Sequence, residues 1–125
     1  MTELRAPDCK IFAEADIGDR ELLGLVASVV FAPERELTAR CEVAVLKNED
    51  YDSKRQALFP DGFVYFRYTI DLYISDGDVR EKAALVGDLL RALWAWGFPA
   101  VAACAYEDRL PYGGGYKSRS IPWPT

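Results

Sequence analysis

FVYFRYTIDLYI, residues 63–74, is the stretch that decides the fold. Val64, Phe66, Tyr68, Ile70, Leu72 and Ile74 recur in strict period two, the repeat of a strand with one buried face. Phe63, Tyr65, Arg67, Thr69, Asp71 and Tyr73 fall on the other face, which is aromatic and mixed in charge. The spacing predicts a strand over 63–74 with two chemically different sides.

Downstream, Asp78 followed three residues later by Glu81 is a capping box, and Gly97 supplies the left-handed residue that ends a helix. A helix is therefore predicted from about Val79 to Trp96, with Val79, Ala83, Val86, Leu89, Leu90 and Leu93 as its buried stripe. After Phe98-Pro99, the small apolar run Ala100–Tyr106 reads as a strand lying under packed helices.

Upstream, Cys9–Ala15 alternates as a half-buried strand, and Asp16-Ile17-Gly18-Asp19 offers turn and N-cap chemistry. Leu22, Leu25, Val26, Val29 and Val30 then recur at helical spacing until Pro33, predicting a helix over 20–31. Leu37–Leu46 alternates again, and 47–62 has no period and reads as a loop.

The order is β-α-β-β-α-β, an α+β chain whose two halves repeat one topology. Right-handed crossovers turn such halves into a ferredoxin-like sandwich, a four-stranded antiparallel sheet with both helices on one face. Val64, Phe66, Ile70, Leu72, Val86 and Leu90 are then expected in the core. The other face is expected to be open, presenting Phe63, Tyr65, Arg67, Asp71 and Tyr73 with Arg40 and Glu42 alongside. One domain, 1–125, is expected, with its core at about 9–106. Residues 107–125 form a Pro/Gly-rich tail with Gly113-Gly114-Gly115 as a flexible turn, ordered only where Tyr112, Tyr116 or Trp123 dock.

Composition narrows the chemistry. The chain is 50% apolar and 28% charged, so it can build a core without staples. No run approaches the roughly 18 to 20 apolar residues of a membrane span, and residues 1–10 lack a signal-peptide core, so a cytoplasmic location without membrane contact is expected. There is no histidine, which removes Ser-His-Asp, Cys-His and His-based zinc chemistry. Cys9, Cys41 and Cys104 are far apart in apolar runs and read as buried free thiols. No cofactor and no metal site is indicated, and the reading is of a binding protein rather than an enzyme.

Net charge is −5, and it lies in the first half: residues 1–62 hold 13 acids against 8 bases, residues 63–125 hold 7 against 7. Such a surface repels nucleic acid and favours a basic protein partner. Asp61-Gly62-Phe63-Val64-Tyr65-Phe66 loosely matches an RNA-binding strand motif, but Asp61 stands where that motif needs a base. The first candidates for partner contact are the acids Glu49, Asp50, Asp52, Glu107 and Asp108, and the second are Tyr65, Arg67, Asp71 and Tyr73 of the open face. Two alternatives stay open: a dimeric ferredoxin-like regulatory or small-ligand-binding domain, and a small enzyme using paired carboxylates.

From Phe63 through the second helix to Ala103-Cys104-Ala105-Tyr106-Glu107-Asp108-Arg109-Leu110-Pro111 and the following glycines, the chain resembles small actinobacterial proteins with an FEDELP-like end to their last strand. The resemblance spans about residues 63–115, with Tyr106 and Arg109 departing from the motif. Similar small acidic domains serve as immunity proteins beside secreted bacterial toxins. What the resemblance implies is a cytosolic module that neutralises a cognate toxin, often a basic nuclease, by direct binding.

Overall fold

The structure is a computed structural model that describes residues 6–32, 40–57, 61–75 and 77–115. Its elements are β1 (Cys9–Ala13), α1 (Asp19–Val30), β2 (Arg40–Lys47), β3 (Tyr68–Ser75), α2 (Val79–Ala95) and β4 (Ala100–Cys104), with short 3-10 turns between and after them. The strands form one sheet in the order β2-β3-β1-β4, every neighbouring pair antiparallel. This is the ferredoxin-like arrangement that the alternation of strands and helices predicts.

Alternate residues of the sheet face the helices. Cys9, Ile11 and Ala13 of β1, Tyr68, Ile70, Leu72 and Ile74 of β3, and Ala100 and Ala102 of β4 share one core with Leu22, Val26 and Val30 of α1 and Leu85, Val86, Leu89, Leu90 and Leu93 of α2. The register also sorts the loops into two ends. Lys47, Tyr68, Ala13 and Ala100 lie across one end of the sheet. The register pairs Cys9 with Cys104 and Arg40 with Ser75 at the other.

The helix ends follow from named residues. The Asp78 carboxylate accepts from the Glu81 amide at 2.8 Å, capping α2 at its start. At its finish Gly97, with φ of +86°, lets the Gly97 and Phe98 amides return to Trp94 and Leu93. In α1 the N-cap is Gly18 with no side-chain cap, and Asp19 and Glu21 answer the dipole from the first turn.

The structure departs from the alternation in three places. β3 begins at Tyr68, because Asp61–Tyr65 is a 3-10 turn, and Val64 is 37% exposed instead of buried. α2 buries Leu85, and Gly87 beneath Pro111, and leaves its first residue, Val79, exposed. β1 and β4 each stop two residues early, at Ala13 and Cys104.

Nor is the glycine run a free turn. Tyr112, Gly113, Gly114 and Gly115 all have positive φ, and a Cβ at Gly114 would stand 2.8 Å from the Ala102 carbonyl oxygen. Only glycine lets this backbone lie so close to β4. Leu110 is buried, and the Tyr112 ring meets Trp94 edge-on at 5.9 Å. Pro33, the start of the second strand at Leu37–Ala39, Phe59-Pro60, Tyr116 and Trp123 lie outside the described residues. No helix among the described residues is long and apolar enough to cross a membrane.

Candidate functional site

The acids singled out from the sequence are divided between the two ends. Glu49, Asp50 and Asp52 follow β2 at the Lys47 end, whereas Glu107 and Asp108 follow β4 at the Cys104 end. The two groups of acids therefore lie at opposite ends of the sheet.

At the Lys47 end the Asn48 side chain ties the described residues 48–57 to 61–67. Asn48 donates through Nδ2 to the carbonyl oxygens of Val64 at 2.9 Å and Phe66 at 2.8 Å, and its Oδ1 accepts from the Asp50 amide at 3.1 Å. Its own amide donates to Arg67 O at 2.9 Å, continuing the β2–β3 ladder by one rung. A Cβ at Gly62 would overlap the Gln56 carbonyl, so the 3-10 turns Arg55–Ala57 and Asp61–Tyr65 touch backbone to backbone. The result holds Glu49 and Asp50 on a fixed, exposed turn.

Asp52 has a different task. Its Oδ1 accepts from the amides of Lys54 at 2.9 Å and Arg55 at 3.1 Å, and these bonds, with the nearby Arg55 guanidinium, hold its carboxyl below the ordinary carboxylate range. It caps the first 3-10 turn, so it is not the freely solvated acid that its sequence neighbourhood suggests.

Beside the turn lies a hollow of about 490 Å³ lined by Lys47, Asn48, Tyr51, Arg67 and Tyr68. Arg67 donates to the Tyr51 hydroxyl at 3.2 Å, stacks on that ring at 5.2 Å, and stands 3.5 Å from the Glu14 carboxylate. The Tyr51 hydrogen bond raises the Arg67 pKa, while burial pushes the Glu14 carboxyl up despite the guanidinium beside it. Glu14 also accepts from the Arg67 amide at 3.0 Å, tying β1 to the start of β3. Leu46 at 49% exposure and Tyr51 at 41% supply apolar surface next to Glu49 and Asp50.

The opposite sheet face is less open than expected. Asp71 is 5% exposed, Thr69 and Val101 are buried, and the Phe63 ring sits edge-on over Phe12 at 5.3 Å. Burial raises the Asp71 carboxyl above its usual range, with Lys10 at 4.0 Å opposing the shift. Tyr65 belongs to the 3-10 turn, with the Arg55 guanidinium over its ring at 5.5 Å. Tyr73 is half-buried, and Arg67 is engaged at the hollow. These four residues do not form one accessible patch.

At the Cys104 end, the Glu107 carboxylate accepts from the Cys104 amide at 2.9 Å and closes β4, while Asp108 is exposed. Cys9, directly opposite Cys104, is buried, and Cys41 and Cys104 are half-buried; all three are free thiols. The neighbouring Cys104 sulfur and burial together hold the Cys9 thiol far above its ordinary range, and burial pushes Cys41 up to about 11. Tyr106, whose hydroxyl is buried without a hydrogen bond among the described residues, is raised by burial and these sulfurs.

Among the described residues no group of three or more Cys, Asp or Glu is placed to hold a metal ion. The hollow and its turn instead carry exposed acids, Glu49 and Asp50, on the same segment as the exposed Leu46 and Tyr51. Asn48, Tyr51, Leu46 and Glu14 carry this site and were not among the sequence candidates; the Asn-Glu-Asp triplet after a strand was the available signal, an Asx-turn pattern. No family model, curated protein or solved structure matches the chain.

Proposed function

We propose that this protein is a protein-binding module that neutralises a basic toxin domain by direct contact, as its resemblance to immunity proteins suggests. The docking surface is the Lys47 end, with Glu49 and Asp50 as the charged contacts and Leu46 and Tyr51 as the apolar anchors. The observation that carries the reading is the Asn48 cross-link, which keeps the acidic turn preorganised. A contact ordered in advance loses less conformational entropy on binding.

Neighbouring charge supports the same end. Asp16, Asp19 and Glu21 are exposed in the β1–α1 connection and the first turn of α1, which register places beside the β2–β3 loop. Among the described residues β2 is an edge strand paired only with β3, so its outer backbone can add a partner strand next to the acidic turn.

The test is association kinetics with the purified product of the adjacent gene. Charge reversal at Glu49→Lys and Asp50→Lys together slows association at least about tenfold at low salt, and the deficit shrinks as ionic strength rises. Association unchanged by the reversal at every salt concentration rules this surface out.

A further inference from the structure

A second, oppositely charged feature lies between α2 and the segment after β4. Arg80, Ala83, Ala84, Gly87 and Arg91 fall on one face of α2, and with Arg109 and Pro111 they enclose a groove of about 290 Å³. We propose that this groove binds a compact, multiply charged oxyanion, a small soluble molecule carrying at least two phosphate groups.

The groove is shaped for such a ligand. On α2 it is lined by the small side chains of Ala83 and Ala84, with Gly87 buried beneath Pro111. A Cβ at Gly87 would lie 3.4 Å from Pro111 Cδ and 3.6 Å from Arg91 Nη1, so the ring forms one wall and the guanidinium lies over the floor. Arg80, in the first turn of α2, and Arg109, in the segment after β4, also line the groove.

The charge is also available. Among the described residues neither Arg80 nor Arg109 has a carboxylate within ion-pair distance, and Arg91 has only the solvent-exposed Asp88 at 3.6 Å. In a chain of net charge −5, convergence of three arginines on one groove is local positive potential in a negative field. Guanidinium forks match phosphate oxygens in bidentate geometry.

The same field selects the ligand's size. A polyanionic macromolecule spans more than the Debye length of about 8 Å at physiological salt and meets the acidic surface as well as the groove. A compact ligand meets chiefly the arginines, with Asp88 beside Arg91 as the one carboxylate paired to a lining residue among the described residues. With no aromatic ring among the lining residues there is no platform for a base, and the volume sits near the small end of ligand sites.

The experiment is an amide-resolved NMR titration of the full chain with sodium pyrophosphate at fixed ionic strength, beside inorganic phosphate and a polyglutamate peptide. The expected result is sub-millimolar pyrophosphate binding with shifts confined to 79–91 and 107–112. Arg80→Gln with Arg109→Gln weakens it at least tenfold, while the rest of the spectrum shows the fold intact. Arg91→Lys, which keeps the charge and loses the fork, weakens it less. Shifts spread over unrelated lysines and arginines, affinity unchanged in the double variant, or tighter binding of polyglutamate than of pyrophosphate each overturns the proposal, the last by assigning the groove to an acidic protein.

Discussion

The side-chain amide of Asn48 reaches across the loop to the carbonyl oxygen of Phe66 at 2.8 Å, and the same nitrogen serves Val64 at 2.9 Å. One residue at the end of β2 thereby satisfies two carbonyls just before β3, where the ladder has stopped. Replacing Asn48 by alanine leaves both without that donor. Urea unfolding should show a loss of about 0.5–1.5 kcal/mol, with Asn48→Asp at least as damaging because a carboxylate faces the two oxygens. A variant as stable as the parent contradicts the assigned role.

Asp52 differs from its neighbours in being a cap. Asp52→Ala should destabilise the protein at pH 7, whereas Glu49→Ala and Asp50→Ala leave stability nearly unchanged. Because the folded carboxyl is held below its unfolded value of about 3.9, its contribution is present above that pH and is lost as pH falls through the folded pKa. Stability curves of Asp52→Ala and the parent should therefore converge in acid, and a constant gap across pH would remove the carboxylate from the explanation.

Asp71 runs the other way. Burial raises its folded pKa, so its stabilising effect is complete below about pH 3.9 and declines as pH rises through the folded value. Asp71→Asn should gain stability relative to the parent between acid and neutral pH, measured by denaturant midpoints at pH 3 and pH 7. A relative loss over that range would show that Lys10, at 4.0 Å, outweighs burial.

The thiols make a kinetic prediction. With Cys41 pushed up to about 11, its labelling rate at pH 8 should be on the order of 100-fold below that of an unhindered cysteine and should keep rising beyond pH 9. Mass spectrometry of the native protein, with Cys9→Ser and Cys104→Ser variants to assign sites, reads this directly. A rate for Cys41 that levels off near pH 9 contradicts it.

Much of the fold was legible in the sequence because it rests on local signals. Period two over Tyr68–Ile74, the Asp78 cap and Gly97 each act through neighbouring atoms and leave a readable pattern. The alternation misled at Val64, since apolar period two continues into residues whose carbonyls are claimed by Asn48, 16 and 18 positions away. The same holds for the groove and the hollow: Arg80, Arg91 and Arg109, or Glu14 and Arg67, meet only once the register is set. Glu49 and Asp50 were visible as exposed acids, but their separation from Glu107 and Asp108 follows from strand direction.

The proposed contact places the toxin domain at the Lys47 end. Hydrogen exchange on the complex with the adjacent gene product, compared with the free protein, tests it most directly. Docking there brings new protection across Leu46–Asp52 and in the Asp16–Glu21 segment, with none at Glu107–Leu110. Protection confined to Glu107–Leu110, or to the sheet face bearing Asp71 and Tyr73, would contradict it.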